Sequence, residues 1–464
     1  MTKVRTPLLG IIFGTALVIV GTGVQAAGQE SEAQKVAWLK DHGVTIRATD
    51  IKDNDFSDLM PLVDKIGQAR VVMLGEQSHG DGTVFLLKGR LIRFLHEVMG
   101  FDVLAWESGF YDCREMNAAL ASPLPLEDAI ARGIFGIWGL SAQVYPLFEY
   151  ARSTVATPNR LEMAGFDCQL SSPSAWDTLP GRMIEFIERA DAKALSPEFK
   201  DKLRGLTKDK NFMAVPAKER AARLAFYRTL PAVFARAEPG LKRYYGAREI
   251  GFWKRIFGNL QTFFGSLDIL GTATEQKRNP TAAEMKGRDI SMGENLTFLA
   301  NEYYAGRKII VWAASSHNLR DPQSIHASMP GMEDIYKGYI TEGQTAYSHL
   351  GDDIYSIAFT AYQGRIGYAN QKVAGQDIGV APAGSLADLM HKTGEKLLFV
   401  DLREFSRTPS HWLHKPIVDR PLGHSPMETD WTKQFDALIF TDVLEPSVRR
   451  EVKQPEAKKP ESKK

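Results

Sequence analysis

The chain has 464 residues, of which 44% are hydrophobic, and this length is enough for a sizeable core in one large domain or two. The 57 Lys and Arg residues nearly cancel the 56 Asp and Glu residues, which leaves a formal net charge of +1. This balance, with basic residues that are dispersed along the chain, argues against a nucleic-acid partner.

The N-terminus has the pattern of a secretory signal peptide over residues 1–26. Lys3 and Arg5 precede an apolar run at 8–23, and Val24-Gln25-Ala26 is typical of a cleavage site. An uncleaved membrane anchor is the alternative, but the run is short for a spanning helix. We therefore expect a mature protein that begins near residue 27, is periplasmic or secreted, and has no stable membrane insertion after cleavage.

The first α/β part is predicted over residues 27–178 and contains the motif GEQSHG. Strands are predicted at 71–74 and 102–106, and an amphipathic helix is predicted between them. A weaker strand, LEMAGF, ends just before Asp167. The order strand, helix, strand indicates a βαβ unit in a parallel sheet.

Residues 179–270 are long, charged and helical in pattern, which predicts a helical insertion or subdomain. Residues 271–444 then complete the sheet, beginning with a helix at 281–303 and a strand at 308–314. Three later strands are predicted at 353–362, 396–402 and 437–442. We predict a disordered tail over 445–464, and an α/β fold whose mostly parallel central sheet is flanked by helices.

Ionisable residues follow four of the predicted strands. Glu76 and His79 follow the first strand, Glu107 ends the second, Asp167 follows the weaker one, and His317 follows the strand at 308–314. In a parallel sheet, ligands bind beyond the carboxyl ends of the strands. These side chains are therefore expected to meet in one site.

The helix after the first strand carries Lys88 inside its apolar stripe, whereas Arg90 and Arg93 fall on the opposite face, where solvent is expected. A buried ammonium is costly unless it is paired. We expect Glu76 or Glu107 to be its partner. The alternative is that Lys88 extends past its neighbours to water.

The helix at 281–303 places Arg288 and Asp289 on the two flanks of its apolar stripe. From the sequence, these residues either reach the same polar centre or form a structural ion pair. The pattern does not separate the two interpretations.

The known hydrolase motifs match poorly. The nucleophile motif G-x-S-x-G is missed by one residue at 75–80, so Ser78 is a weak nucleophile candidate. The zinc motif H-E-x-x-H is absent. His79 as a general base acting on water fits better, with Lys88, Arg288 or His317 stabilising the oxyanion.

Cys113 and Cys168 are the only cysteines, and both are predicted in loops after strands. In an oxidising compartment, we predict that they are near enough to form a disulfide. The alternative is two unrelated buried residues. The apolar segment GIFGIWGL at 133–140 could line a substrate pocket, but a core segment is the favoured interpretation.

Three segments, GEQSHG, VFLLKGRLIRFL and GFDVLAWESGF, resemble the motifs of the erythromycin esterase family. The segments GFDCQ at 165–169 and RDISMGENL at 288–296 are also similar to family motifs. The resemblance extends from about residue 40 to about residue 440, and the motifs are specific in combination.

The resemblance implies an α/β fold with a helical subdomain, and hydrolysis of an ester or lactone with His79 as the general base. Glu76 and Glu107 take the places of the motif glutamates, and Lys88 stands where the family usually has Arg. In the late motif W-A-H-N-x-H, Ala314 replaces the first histidine. Because the family includes proteins with other substrates, an ester-type hydrolase is implied more strongly than a macrolide esterase conferring antibiotic resistance.

The sequence thus predicts a hydrolase for a small-molecule ester or lactone, with no cofactor and no metal. The predicted catalytic residues are His79, Glu76, Glu107, Lys88, His317 and Arg288. The predicted substrate-binding residues are Asp167 and Asp289. Two alternatives stay open: a non-catalytic periplasmic binding protein on a degenerate esterase fold, which Ala314 motivates, and a metal-dependent hydrolase.

Overall fold

The structure is a computed structural model that describes residues 30–327, 335–371, 375–403 and 410–451. The predicted signal peptide lies outside the described residues, as does the predicted tail from residue 452 onward. Within the part of the chain that is described, none of the helices has the length and apolarity needed to cross a membrane.

A mixed sheet of nine strands, flanked by helices, organises the fold, in the order β1-β9-β12-β7-β2-β5-β3-β4 with β8 paired to β7. The strands are β1 (Val44–Thr45), β2 (Val71–Glu76), β3 (Val103–Gly109), β4 (Glu162–Asp167), β5 (Ile309–Ala314), β6 (His326–Ala327), β7 (Ile354–Ile366), β8 (Gln376–Asp377), β9 (Leu397–Asp401), β10 (Ile417–Asp419), β11 (Met427–Thr429) and β12 (Ala437–Leu444).

The central part of the sheet is parallel, from β12 through β7, β2, β5 and β3 to β4. The strands β9, β1 and β8 pair in antiparallel fashion. A separate sheet of three strands has the order β10-β11-β6. The prediction of an α/β fold with a mostly parallel central sheet is confirmed.

The helices lie on both faces of the sheet. They are α1 (Glu32–His42), α2 (Pro61–Ile66), α3 (Gly82–Met99), α4 (Phe110–Leu120), α5 (Leu126–Ile130), α6 (Gly136–Gly139), α7 (Tyr145–Thr154), α8 (Pro173–Glu188), α9 (Pro197–Arg204), α10 (Ala217–Tyr227), α11 (Leu230–Leu241), α12 (Ala247–Glu275), α13 (Ala282–Phe298), α14 (Glu342–Leu350) and α15 (Leu386–His391).

Alternation along the strands divides the core between the two faces. In β2, Val71 and Met73 pack with α8, α12, α13 and α14, whereas Val72 and Leu74 pack with α2, α3 and α7. The strand β5 alternates in the same way. Successive side chains of a strand point to opposite faces. The face to which the last residue of a strand points therefore determines which helices it contacts.

Every regular element between β4 and β5 is helical. The predicted boundaries of the helical insertion, 179 and 270, both fall inside helices, since α8 begins at residue 173 and α12 ends at residue 275. Sequence patterns locate the ends of elements less accurately than the elements themselves.

The prediction that Arg90 faces solvent is wrong. Arg90 is fully buried, and its guanidinium donates to both carboxylate oxygens of Asp58 at 2.9 and 2.7 Å. It also donates to the backbone carbonyls of Ala48 and Asp55. The segment before β2 folds over this part of α3, so Arg90 is covered by protein, whereas Glu97, farther along the helix, is 36% exposed.

The predicted disulfide is also wrong, because Cys113 and Cys168 are both free and buried. Cys113 packs in the core on the α3 face of the sheet, and Cys168 packs in the core on the α13 face. Two cysteines separated by a sheet cannot form the short Cβ–Cβ contact that a disulfide requires.

The first residues of the predicted tail are ordered, so the prediction is wrong for residues 445–450. Ser447 is buried, and its N–H donates to the carbonyl of Gly80 at 2.9 Å. Arg450 donates to the carbonyl of Leu140 at 2.8 Å and pairs with Glu127 at 2.8 Å. We call residues 445–450 the C-terminal strap.

We predict that ending the chain after Leu444 lowers the free energy of unfolding by about 2 to 4 kcal/mol, since several partly buried hydrogen bonds worth about 1 kcal/mol each are lost. Ending it after Glu451 retains the C-terminal strap and serves as the control. Chemical denaturation of both proteins measures the difference. Equal stability of the two proteins would contradict a structural role for the strap.

Candidate active site

A buried ion pair joins β2 to α3 below the strand ends. The Lys88 ammonium donates to Glu76 Oε2, and both side chains are fully buried. Lys88 Nζ also lies 3.9 Å from the centre of the Trp312 ring, as a cation–π contact. Burial lowers the pKa of Lys88 to about 8, although Glu76 opposes the shift.

The choice of Glu76 over Glu107 as the partner of Lys88 follows from strand alternation. Glu76 continues the series of Val72 and Leu74, which faces α3. Glu107 continues a β3 series that faces α13 on the other side. The expectation of a paired, buried Lys88 therefore agrees with the structure, and the partner is the first of the two candidates.

The second oxygen of Glu76 positions the ring of His79. Glu76 Oε1 lies 3.3 Å from His79 Nδ1 and accepts a hydrogen bond from Trp138 Nε1 at 3.2 Å. The Trp138 ring stands edge-on to His79, with ring centres 4.9 Å apart. A carboxylate at Nδ1 favours the tautomer that carries its proton there, which leaves Nε2 able to accept a proton.

Glu107 occupies the centre of the cluster. Its Oε1 lies 3.0 Å from Arg288 Nη2, 3.1 Å from His317 Nε2 and 4.0 Å from His79 Nε2. Its Oε2 accepts the backbone N–H of Ala314 at 2.9 Å. Burial alone would raise the pKa of Glu107, but His317, His79 and Arg288 hold it well below its ordinary value.

Arg288 and Asp289 both reach the cluster from α13, where Arg288 pairs with Glu107 and Asp167, and Asp289 faces His317. Arg288 Nη2 lies 2.6 Å from Asp167 Oδ2, and its Nε lies 3.2 Å from both oxygens of the same carboxylate. Its Nη1 is 3.2 Å from His317 Nε2. Because Nε and Nη2 already contact carboxylates, Nη1 is the nitrogen with capacity for a further acceptor.

His317 lies between two carboxylates. Its Nδ1 is 2.7 Å from Asp289 Oδ1, and its Nε2 faces Glu107. Burial would lower the pKa of His317, but Asp289 and Glu107 together raise it well above its ordinary value. The ring is therefore held as an imidazolium at neutral pH.

The same balance acts on His79 to a smaller degree. Burial would lower its pKa, but the carboxylates of Glu107 and Glu76 raise it, against a smaller opposing effect of His317. The side chain of His79 is 31% exposed, whereas that of Glu107 is 3% exposed. His79 is thus the more accessible of the two groups.

Asp167 and Asp289, predicted as substrate-binding residues, are fully buried and face Arg288 and His317. Direct contact of either carboxylate with a substrate stays a prediction. All eight predicted site residues lie around the carboxyl ends of β2, β3, β4 and β5, on these strands, the loops that follow them, and α3 and α13.

Glu342, the first residue of α14, joins the cluster without a motif in the sequence that predicts it. It is fully buried, and neither of its carboxyl oxygens has a hydrogen-bond partner among the described residues. Burial raises its pKa to about 8; His317 opposes the shift, while Asp289 and Glu107 add to it. The only sequence signal was the helix cap at Thr341, whose side chain accepts from Gln344 N–H.

The tight approach of α14 explains why Glu342 lies so close to the cluster. The N–H of Gly343 donates to the carbonyl of His317 at 2.7 Å. A Cβ atom at position 343 would lie 2.3 Å from the carbonyl oxygen of Asn318, so only glycine fits there. Nothing in the spacing of sequence motifs indicates this contact, since it joins segments that are distant in the chain.

Trp138 is a second site residue that the sequence motifs do not predict. The segment at 133–140 contains buried Ile134 and Trp138, which agrees with the favoured interpretation as core. The indole N–H of Trp138 nevertheless donates to Glu76, so the segment also contributes a polar contact to the site. An indole N–H usually finds an acceptor when it is buried, and Glu76 is that acceptor.

A family comparison identifies the group of proteins to which the chain belongs. The sequence model of the erythromycin esterase family matches residues 96–444. The chain belongs to the erythromycin esterase family. The chain is also similar to YbfO of Bacillus subtilis (strain 168), whose name places it among the hydrolases, with 24% identity over 96% of this chain and 98% of that protein.

A shorter similarity links the chain to erythromycin esterase type II of Escherichia coli, with 40% identity over 80 residues, which is 17% of this chain and 19% of that protein. The family and these names support a hydrolase-type function that acts on a small molecule.

Solved structures share the fold. A Bacillus cereus protein has a TM-score of 0.73 at 21% identity, covering 91% of this chain and 100% of that chain. A point mutant of the erythromycin esterase EreC, in its open conformation, has a TM-score of 0.68 at 17% identity, covering 87% of this chain and 98% of that chain. At these identities the similarity concerns the fold alone.

Among the residues that the structure describes, no group of three or more His, Cys, Asp or Glu side chains is arranged to hold a metal ion. His79 and His317 both face Glu107, but each is already engaged by a further carboxylate, Glu76 or Asp289.

We predict that Lys88→Met lowers the free energy of unfolding by about 3 to 5 kcal/mol, because it leaves the Glu76 carboxylate buried without its cation. The double variant Glu76→Gln, Lys88→Met should recover part of this loss, since no uncompensated charge remains. Denaturant unfolding measures both, with the exposed Lys40→Met as the control. A cost for Lys88→Met as small as that of the control would contradict a buried ion pair.

We predict that Glu342→Gln makes stability less dependent on pH. Because the folded protein holds the Glu342 proton up to about pH 8 and the unfolded chain releases it near 4.5, this group's contribution to stability falls as pH rises between these values. The variant should therefore gain melting temperature over wild type at about pH 8 and little at about pH 4.5.

Melting curves across this range test the prediction, with the exposed Glu428→Gln as the matched control. A difference between Glu342→Gln and wild type that is the same at both ends of the range would show that the Glu342 proton is not linked to folding.

Proposed function

We propose that the chain hydrolyses a neutral carboxylic ester or lactone, with His79 as the general base that activates water. The observation that carries the proposal is the geometry at His79, whose Nδ1 contacts Glu76 while its Nε2 faces Glu107 at 4.0 Å. Because these two atoms are 4.0 Å apart, one water molecule can lie about 2.8 Å from both His79 Nε2 and the Glu107 oxygen and form a hydrogen bond with each.

The reaction would proceed in two steps. In the first, His79 Nε2 takes a proton from water as the water oxygen attacks the acyl carbon, and the carbonyl oxygen becomes an oxyanion. In the second, the tetrahedral intermediate collapses, the acyl–oxygen bond breaks, and the His79 imidazolium returns the proton to the leaving alkoxide. The products are a carboxylic acid and an alcohol, and no covalent enzyme intermediate forms.

Arg288 is our preferred group for stabilising the oxyanion. Among the described residues its Nη1 has His317 Nε2 as its hydrogen-bond-distance neighbour, and a cationic donor at a developing negative charge lowers the barrier. Lys88 is buried behind Glu76 and Trp312, so it acts by holding Glu76 in place. His317 carries a positive charge near the same position and supports the oxyanion through the local field.

The charge balance favours a neutral or cationic substrate over an anionic one. Three carboxylates, those of Glu107, Asp167 and Asp289, surround two cations, Arg288 and His317. An anionic ester would have to displace a carboxylate from Arg288 and would meet a net negative cluster.

We predict that His79→Gln lowers kcat about 100-fold or more, because general base catalysis contributes at least this much. The exposed His349→Gln serves as the control, and a panel of p-nitrophenyl esters and a macrolide lactone provides the assay. Full turnover by a folded His79→Gln protein would reject the mechanism.

The same assay separates the alternatives. A wild-type protein that binds members of the panel and releases them unchanged would favour a binding protein, which the alanine at position 314 motivated. Activity that a chelator abolishes and a divalent metal restores would favour a metal-dependent hydrolase.

We predict that kcat/KM for p-nitrophenyl butyrate exceeds that for p-nitrophenyl hemisuccinate by about tenfold or more, since like charges juxtaposed in a desolvated site are costly. Asp167→Asn removes one carboxylate from Arg288, so it should reduce the ratio of the two kcat/KM values. Equal or better hydrolysis of the anionic ester by wild type would contradict selection by charge.

We also propose that the protein is exported, on the basis of the signal-like pattern at residues 1–26. N-terminal sequencing of the protein recovered from a periplasmic or culture-medium fraction tests this. A mature end near residue 27 supports export, and an intact N-terminus in the cytoplasm contradicts it.

A further inference from the structure

The loop that carries His79 is held by a side chain in an unusual position. This segment, the His79 loop (residues 77–81), ends at Asp81, which occupies the N-cap position of α3. An N-cap Asp ordinarily accepts a hydrogen bond from the first turn of its helix, a contact worth about 1 kcal/mol. Asp81 makes no such bond, so its carboxylate is used elsewhere.

The Asp81 carboxylate turns back onto its own loop. Its Oδ2 accepts the backbone N–H of Ser78 at 2.8 Å, and its Oδ1 accepts the Ser78 hydroxyl at 2.7 Å. The same Oδ1 lies 2.9 Å from His424 Nε2. Asp81 is fully buried and the side chain of His424 is 6% exposed, so these contacts are shielded from water.

His424 reaches Asp81 in a strained backbone conformation. It has a φ of 60°, in the left-handed region that a non-glycine residue adopts at a cost of about 1 kcal/mol or more. The preceding Gly423 also has a positive φ, of 65°, and its N–H donates to the carbonyl of Gln77 at 2.9 Å. Two consecutive left-handed residues thus both bind the His79 loop.

We infer that His424 and Asp81 form a positioning pair that fixes the His79 ring relative to Glu107. The pair fixes Ser78 on one side of His79, while the carbonyl of Gly80 accepts two N–H groups, from Gly367 and Ser447, on the other side. The contact between His424 and Asp81 requires two unfavourable local features: Asp81 does not cap α3, and His424 has a positive φ. Unfavourable features that meet at one contact near a site indicate a role in function and not in stability alone.

The inference rests on the proposed function, because positioning His79 matters for catalysis only if His79 is the base. His424 does not contact the reacting atoms in this arrangement; it acts through Asp81 and Ser78. A displacement of about 1 Å in a catalytic group is enough to lower turnover by about 100-fold.

His424→Gly removes the contact to Asp81 without adding backbone strain, since glycine adopts a positive φ freely. Lys277→Gly is the matched control, because Lys277 is the other non-glycine residue with a positive φ among the described residues, at 53°, and it is exposed. His424→Asn is the conservative variant, since Asn tolerates the left-handed region and retains a donor.

The first measurement needs no substrate. Diethyl pyrocarbonate modifies accessible imidazoles, and peptide mapping gives the rate for His79 alone. We expect His424→Gly to change this rate several-fold, with Lys277→Gly unchanged and His424→Asn intermediate. An unchanged His79 rate in His424→Gly would overturn the inference, whether or not the protein hydrolyses esters.

The second measurement uses the p-nitrophenyl ester that wild type hydrolyses best. We expect His424→Gly to lower kcat about tenfold or more with KM within about twofold, and also to lower the melting temperature, because the buried Asp81 carboxylate loses a partner. A lower melting temperature with unchanged kcat would assign His424 a structural role only. If wild type is inactive on every ester, the proposed function is refuted. The modification rate of His79 then tests by itself whether His424 and Asp81 position the His79 ring.

Discussion

The alternation of side chains between the two faces of the sheet determines which cation pairs with each carboxylate of the site. Glu76 in β2 and Glu107 in β3 lie near the carboxyl ends of the two strands that flank β5, and they point to opposite faces of the sheet. Glu76 therefore needs a cation from α3, and Lys88 supplies it. Glu107 needs cations from the other face, and Arg288 and His317 supply them. His79 lies between the two carboxylates and faces one oxygen of each.

Burying these charges has a large free-energy cost, which is offset only while every charge keeps its partner. Removing one partner of a buried pair typically costs more than the pair contributes, because the remaining charge is left without water or counter-charge. Glu342 shows the limit of this compensation, since it finds no hydrogen-bond partner among the described residues and remains protonated near neutral pH.

The sequence predictions that agree with the structure rest on local, periodic patterns. The strand ends with Glu76, Glu107 and Asp167, and the polar position of Lys88 inside an apolar stripe, could be read from spacing alone. The family resemblance is confirmed, and with it the α/β fold. The role of each site residue in catalysis stays a prediction.

The failures share a physical cause, because each depended on a contact between segments that are distant in sequence. The helical wheel places Arg90 on the solvent face because it does not show the segment before β2 that covers this residue. Cys113 and Cys168 were paired although the sheet separates them. Composition predicts disorder for residues 445–450, yet their backbone forms hydrogen bonds to the His79 loop and to the residues that follow α6. Tertiary contacts of this kind leave no periodic signal in the sequence.

The protonation states of the two histidines test the account most directly. In protein labelled with 15N at histidine, NMR titration follows each ring, and His79→Gln and His317→Gln assign the two signals. The carboxylates around the two rings predict that His317 stays an imidazolium through neutral pH and that the pKa of His79 is raised above its ordinary value of 6.5, but less than that of His317. Two independent titrations near 6.5 would contradict this prediction, because the carboxylates would then not surround these rings.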